Sequence, residues 1–288
     1  MELTILQFFE TLRSDFLTFF ACIFTLFGET VFLIVLICLV YWLYDKSLGE
    51  KLVIVSFSSM CLNGLLKNVV ARPRPYVHGG VSRLEIDSPL VSTLSLEPYQ
   101  SFPSGHSQLS AGMFFTAGFH FRKKVLWIVF PLCTLFVMLS RLYLGVHYPS
   151  DVLVGGALGV LFACFWEWIF QKQEKNKYYI LAGFALLSIL FSIIAPSKQL
   201  IELCGCCVAA AICLPIENKR VRFENQPSIK KKLYRLVLGL FCVGVVYGGF
   251  SLLPFAFLEL WGWKFVKYFL TVITGALLVP YLFVKLKI

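Results

Sequence analysis

The sequence predicts an all-α integral membrane protein: a polytopic bundle of about nine transmembrane helices, with a range of seven to nine. Of the 288 residues, 58% are hydrophobic and 15% are charged. Several continuous apolar runs reach the roughly 20 residues that a helix needs to cross a bilayer. Transmembrane β-barrels would instead show short segments of alternating hydrophobicity. We therefore expect residues 1–288 to form a single integral membrane domain.

The charge pattern fits membrane topology better than nucleic-acid binding. The formal net charge is +10, but the basic residues are scattered in short loops between apolar runs. Most of the 26 lysines and arginines fall in alternate loops, which the positive-inside rule assigns to the cytoplasm. The ten cysteines lie mostly in apolar segments, where cysteine behaves as a small hydrophobe rather than as a metal ligand.

Several helix boundaries in the first half of the chain can be predicted from the sequence. Residues 3–12 predict a short amphipathic helix at the membrane interface. The apolar run over 16–44 is interrupted at Gly28-Glu29. A carboxylate is costly in lipid, so Glu29 either ends a segment near the membrane surface or contacts a polar group of the bundle. The next span, about 51–70, ends before two prolines, which cannot continue a helix.

A polar loop over 76–101 follows, and its length is typical of a lid or a substrate-selecting element. The third span, about 106–121, is short for a full crossing. The later spans complete the bundle.

The stretch from Ser140 to Asp151 joins two apolar segments and carries a histidine and a carboxylate at helical spacing. If Pro149 opens the following helix, His147 and Asp151 lie one turn apart on the same face. Asp151 could then fix the tautomer of His147 and leave the other ring nitrogen to act as nucleophile or base. Arg141 supplies a guanidinium suited to bidentate phosphate binding. An imidazole-carboxylate pair also occurs in proteins as structural support, so this stretch alone is compatible with both a catalytic and a structural role.

Two further stretches complete a three-part pattern. Lys67 and Arg74-Pro75 give K-x6-R-P, residues 103–106 read P-S-G-H, and residues 140–151 give S-R-x5-H-x3-D. In this combination the chain resembles the type 2 phosphatidic acid phosphatase (PAP2) superfamily. Members of that superfamily include lipid phosphatases, glucose-6-phosphatase, bacterial acid phosphatases and vanadium haloperoxidases. The resemblance implies a PAP2-type helical core, and we expect a catalytic core over 45–171 with additional transmembrane helices over 178–288.

Phosphoryl transfer needs positive charge around the non-bridging oxygens, and the three patterns contain it. Lys67, Arg74 and Arg141 would surround the phosphate. Ser104 and Gly105 would bind it through a hydroxyl and a backbone amide at the start of the third span, where the helix dipole favours an anion. No metal and no other cofactor is required by this arrangement, because the cationic side chains can replace a metal.

The two histidines of the pattern receive different roles. By the resemblance, His147, oriented by Asp151, would form a phosphohistidine intermediate that water later hydrolyses. His106 would protonate the leaving group and then activate water. We expect His78 and His120 to have no role in catalysis, and Arg72 to have at most a supporting one.

The alternation of loops puts all three patterns at the face opposite the basic loops. The sequence thus predicts an active site on the non-cytoplasmic side of a bacterial plasma membrane, or of the endoplasmic reticulum if the source is eukaryotic. The expected partners are membrane lipids and a phosphorylated lipid substrate, with no nucleic acid. The sequence does not predict an oligomeric state.

The expected activity is hydrolysis of a lipid phosphate monoester or diphosphate, such as a phosphatidic acid, a sphingoid phosphate or a polyprenyl diphosphate. The first alternative is a phosphatase for a soluble ester such as a sugar phosphate. The second is a phosphotransferase in which an alcohol attacks the phosphohistidine. The non-enzymatic alternative is a transporter or scaffold with a phosphate-binding site.

Overall fold

The computed structural model describes residues 1–86, 88, 91–94, 96–225, 228–252 and 260–288. These residues form helices joined by irregular connections, so the all-α prediction is confirmed. Short π-helical turns extend three of the helices. In chain order the helices are α1 (Glu2–Thr11), α2 (Asp15–Leu26), α3 (Thr30–Leu39), α4 (Lys46–Val70), α5 (Gly105–Phe121), α6 (Leu126–Tyr143), α7 (Pro149–Lys172), α8 (Lys177–Ile194), α9 (Lys198–Ile216), α10 (Ile229–Ser251), α11 (Trp261–Ile273) and α12 (Val279–Lys285).

Seven helical segments of the described chain are long and apolar enough to cross a membrane, which lies within the predicted range of seven to nine. The first predicted span is instead two shorter helices, α2 and α3, separated at residues 27–29. The third predicted span is α5, which has only 17 residues. The count of nine treated each of these two regions as a full crossing.

The chain divides into two compact units. The first comprises Met1–Val35 and Leu65–Trp168, and the second comprises Leu36–Gly64 and Ile169–Ile288. Every residue of the three patterns lies in the first unit. The boundaries expected from the sequence, 45–171 and 178–288, stay a prediction.

In the first unit, two apolar clusters support the turn that joins α6 to α7. One cluster consists of Leu6, Val81, Leu142 and Val152. The other consists of Ala21, Tyr143, Leu144 and Val146. Both contain residues from the N-terminal helices and from the end of α6 or the turn after it. The burial of these side chains therefore holds the residues leading up to His147 against α1 and α2.

The helix boundaries around the patterns lie within one residue of those that the sequence predicts. Pro149 opens α7, as expected for a proline in a first turn. Ser104 is the N-cap of α5, and its side chain accepts a hydrogen bond from the amide of Ser107. α4 ends at Val70, before the two prolines.

In the second unit, α9 packs against α8 and α11. Two buried polar side chains of this unit have clear partners: Glu217 forms a salt bridge with Lys46 at 2.6 Å. The indole nitrogen of Trp42 donates to the carbonyl of Gly275 at 2.8 Å. The ten cysteines of the whole chain are thiols, not disulfides.

Candidate active site

Asp151 is fully buried, and three donors hold its carboxylate. Oδ1 accepts a hydrogen bond from Nη1 of Arg72 at 2.7 Å. Oδ2 accepts from the hydroxyl of Ser101 and, at 2.9 Å, from the amide of Tyr148. From the sequence we expect Arg72 to have at most a supporting role. Ser101 was not predicted at all, because no local pattern connects residue 101 to residue 151.

His147 lies beside Asp151 but does not form the predicted direct hydrogen bond with it. Nδ1 of His147 is 3.6 Å from Oδ2 of Asp151, beyond hydrogen-bond distance. Nε2 of His147 is 3.2 Å from Nη1 of Arg74. A guanidinium only donates, so Nε2 must be the acceptor and the ring proton must sit on Nδ1, which faces Asp151. The tautomer expected from the sequence follows from Arg74 as much as from Asp151.

The imidazole of His147 is neutral in this environment. Burial and the positive charges of Arg74, Arg141 and Lys67 hold the pKa of His147 well below its ordinary value. Burial also lowers the pKa of Arg74, to about 10, so this guanidinium is still charged at neutral pH. A neutral imidazole with a lone pair on Nε2 thus stands among cations.

Arg74 is anchored to backbone carbonyls on both sides of the site. Nε donates to the carbonyl of Glu97 at 2.8 Å, and Nη2 donates to that of Gln100 at 3.2 Å. Nη1 donates to the carbonyl of Val146 at 2.8 Å. The polar loop and the α6–α7 turn are therefore both tied to this guanidinium, which restricts its orientation toward His147.

Arg141 is 1% exposed and only partly bonded. Its Nη1 lies 3.4 Å from the hydroxyl of Thr25. Among the described residues, its Nε and Nη2 have no hydrogen-bond partner. These two nitrogens point their N–H bonds along the same edge of the guanidinium, which is the fork that binds two oxygens of a phosphate. Unpartnered buried donors are costly, which makes this edge a strong candidate for an anion contact.

The P-S-G-H stretch is packed tightly onto α7. The amide of Ser104 donates to the carbonyl of Asp151 at 3.0 Å, and the Ser104 hydroxyl accepts from the hydroxyl of Ser107 at 3.0 Å. A Cβ at Gly155 would collide with the carbonyl oxygen of Ser104. The start of α5, at Gly105, is therefore held close to the start of α7.

Lys67, the remaining predicted phosphate ligand, is buried at the end of α4. The charges of Arg74, Arg141 and Asp151 act on it, as expected for members of one cluster. Among the predicted site residues, the structure brings His147 next to Arg74 and Asp151, and it bonds the amide of Ser104 to the carbonyl of Asp151. The exposed His78 lies in the loop and is not part of this cluster.

Residues 50–175 match the family model of the PAP2 superfamily. Residues 201–288 match a second model, described as PAP2 superfamily phosphatase, transmembrane extension. The chain belongs to the PAP2 superfamily. With its apolar helices and the transmembrane extension, this PAP2 protein is an integral membrane protein.

Three curated relatives resemble the PAP2 region of the chain. Phosphatidylglycerophosphatase B of Bacillus subtilis is 31% identical, over 46% of this chain and 66% of the relative. A lipid A 1-phosphatase of Rhizobium johnstonii is also 31% identical, over 45% of this chain and 51% of the relative. The bacitracin transport permease protein BcrC of Bacillus licheniformis is 32% identical, over 46% of this chain and 63% of the relative. The chain thus spans less than two thirds of the length of each.

This PAP2 protein also has a site contact that the sequence left undecided. Oε1 of Glu29 is 3.1 Å from Nε2 of His106, the second residue of α5. Of the two sequence interpretations of Glu29, the contact with a polar group of the bundle is confirmed. The carboxylate within an apolar run was the signal, but its partner was not visible in the sequence.

Proposed function

We propose that this chain is a metal-independent membrane phosphatase that hydrolyses a lipid phosphate monoester or diphosphate through a phosphohistidine. The neutral His147 carries this proposal, because its Nε2 lone pair faces Arg74 while Nδ1 keeps the proton. A ring nitrogen with a lone pair inside a cationic cluster is suited to attack the phosphorus of a bound ester. Asp151 stabilises the positive charge that the ring acquires when the N–P bond forms.

The cations account for binding and for stabilisation of the transition state. Arg74 Nη1 is 3.2 Å from Nε2 of His147, so it would lie next to the oxygens of a phosphoryl group on that nitrogen. The unpartnered fork of Arg141 supplies two more donors, and Lys67 adds a third positive charge. Together these groups neutralise the charge that spreads over the non-bridging oxygens.

His106 is assigned the proton transfers. The ester P–O bond breaks as the N–P bond forms, and the departing oxygen takes a proton from His106. A water molecule then gives its proton to His106 and attacks the phosphorus. The P–N bond breaks, which releases inorganic phosphate and restores the lone pair of His147.

A lipid substrate is supported by what surrounds the site. The patterns stand at helix ends, where phosphate headgroups of a bilayer would lie. α1 has exposed apolar residues, such as Phe8 at 59%, and its Glu2 forms a salt bridge with Arg72 at 2.7 Å. Val69, two residues after Lys67, is 67% exposed. An apolar chain could therefore stay in the membrane while its phosphate reaches the cations. The positive-inside pattern supports a non-cytoplasmic location.

The test is phosphate release by the purified full chain in detergent with EDTA. The substrates are phosphatidic acid, sphingosine phosphate, phosphatidylglycerophosphate, undecaprenyl diphosphate and glucose 6-phosphate. Wild type is compared with His147→Ala, and His78→Ala in the exposed loop is the matched control. We expect release from a lipid substrate that is lost in His147→Ala and kept in His78→Ala.

Other outcomes separate the alternatives. Release only from glucose 6-phosphate would replace the lipid substrate with a soluble ester. Transfer of the phosphate to an added alcohol in preference to water would indicate a phosphotransferase. Release that persists in His147→Ala would refute the phosphohistidine at this residue. No release from any substrate would refute the proposed hydrolysis and favour the transporter or scaffold alternative.

A further inference from the structure

Glu29 lies in the short break between α2 and α3, far in sequence from the three patterns. Its Oε1 atom is 3.1 Å from Nε2 of His106, and the two side chains are 24% and 16% exposed. The two residues are 77 positions apart. The contact is therefore made where the break between α2 and α3 meets the start of α5, and not by any local spacing.

Gly28, the residue before Glu29, also lies against His106, and its lack of a side chain makes this close approach possible. A Cβ at Gly28 would lie 2.5 Å from Cβ and 2.5 Å from Cδ2 of His106, closer than side-chain atoms can approach. Gly28 is itself buried. The absence of a side chain thus lets the backbone of this break lie directly on the imidazole ring, while the next residue reaches around to its Nε2.

This contact determines which nitrogen of His106 can exchange a proton with the substrate. A carboxylate only accepts hydrogen bonds, so Nε2 of His106 must carry a proton. Nδ1 is then the nitrogen left for proton transfer. The arrangement is the opposite of that in His147, where Nδ1 holds the proton and Nε2 has the lone pair.

The charges around His106 also need a counterion. Arg141 and Lys67 are cations that act on His106, and His147 is a further titratable group nearby. Burial and these cations disfavour an imidazolium at this position, whereas an acid catalyst must hold a proton before the leaving group departs. Glu29 is the carboxylate placed to offset them.

We propose that Glu29 is a positioning residue for His106: it fixes the Nε2–H tautomer and stabilises the imidazolium, so that Nδ1 delivers the proton to the leaving oxygen. The inference rests on the proposed phosphatase function. As Nε2 of His147 bonds to phosphorus, the leaving oxygen keeps the electron pair of the broken P–O bond and takes the proton from Nδ1. In the second step, water gives a proton to Nδ1 and its oxygen replaces Nε2 of His147 on phosphorus.

The test uses Glu29→Gln, which keeps the shape of the side chain and an oxygen acceptor but removes the charge. We expect the first turnover of an alkyl lipid phosphate to slow by roughly 10- to 100-fold, since general acid catalysis contributes about 10²- to 10⁴-fold. KM should change by less than about threefold, because in this proposal Glu29 does not touch the phosphate. The alkaline limb of the first-turnover rate should move to lower pH, because the imidazolium is less stable without the carboxylate.

A substrate with a good leaving group separates this role from a structural one. p-Nitrophenolate departs without needing a proton, so the burst of nitrophenolate from p-nitrophenyl phosphate should be nearly the same in wild type and Glu29→Gln. Glu29→Asp keeps the negative charge. The alkaline limb of its first-turnover pH profile should therefore stay near that of wild type, even if its first-turnover rate falls. Glu174→Gln, which changes a carboxylate that is 73% exposed, is the matched control.

Equal losses on both substrates, or an alkyl phosphate rate in Glu29→Gln within about threefold of wild type, would overturn the role of Glu29. His147→Ala is measured in the same series. If wild-type turnover depends on His147 while Glu29→Gln is unaffected, the phosphatase function stands and the role of Glu29 fails. If wild-type turnover does not depend on His147, both fail.

Discussion

Replacement of Arg141 by methionine should abolish tight binding of a phosphate analogue while leaving the free protein as stable as before. The guanidinium is 1% exposed, and its Nε and Nη2 have no partner among the described residues. Folding has therefore already removed these donors from water without a compensating bond. Their hydrogen bonds become available only when an anion binds.

The expected loss of binding affinity follows from the two hydrogen bonds that Nε and Nη2 of Arg141 would donate to the anion. A hydrogen bond to a charged group contributes about 1.5–3 kcal/mol, so two such bonds account for roughly 3–6 kcal/mol. At about 1.4 kcal/mol per tenfold change, the affinity should fall by about 10²- to 10⁴-fold. The free protein should unfold at the same temperature or a higher one, because an apolar side chain replaces a buried and poorly paired charge.

Orthovanadate, a phosphate analogue, is a suitable probe in detergent. At 100 times its Kd it should stabilise wild type by about 2.7 kcal/mol. With 100-fold weaker affinity, the same concentration should stabilise Arg141→Met by only about 0.4 kcal/mol. Thermal unfolding with and without vanadate measures both values. Arg122→Met is the control, since that arginine side chain is 71% exposed. A vanadate affinity of Arg141→Met within threefold of wild type would refute the reasoning, as would a large destabilisation of the free variant.

Two further predictions concern the groups around His147. Burial and nearby cations, including Arg74, lower the pKa of His147, and attack requires the neutral ring. Arg74→Gln should therefore raise the pKa of His147 and move the acidic limb of the kcat/KM pH profile to higher pH. The profile is measured for wild type and the variant on one substrate, and coincident acidic limbs would contradict this prediction. Ser101→Ala removes a buried donor to Asp151, so it should destabilise the protein by about 1.5–3 kcal/mol, measured by thermal unfolding. Ser110→Ala removes a hydroxyl that bonds to the carbonyl of Ser107 in its own helix at 3.2 Å. This variant should cost much less, and equal shifts in the two variants would count against the role of Ser101.

Features that depend on neighbouring residues could be predicted from the sequence. The i, i+4 spacing of His147 and Asp151, the proline that opens α7 and the N-cap at Ser104 are local, because helix geometry and hydrogen bonding within one turn determine them. The apolar runs identified the membrane class, since a bilayer requires a minimum helix length. The number of crossings does not follow from the sequence, because a run with a Gly-Glu break and a helix of 17 residues are each compatible with a full or a partial crossing.

The contacts that complete the site join side chains from distant parts of the chain, and they become visible only in the tertiary structure. Glu29 and His106 are 77 residues apart, Arg72 and Glu2 are 70 apart, and Thr25 and Arg141 are 116 apart. Such pairs arise from the packing of separate helices, and no periodicity encodes them. The protonation of His147 depends on packing too, because carbonyls of the polar loop and of the α6–α7 turn hold the guanidinium of Arg74 next to Nε2. Local sequence patterns indicate the type of chemistry, and the packing of distant helices determines which atom of each group can take part in it.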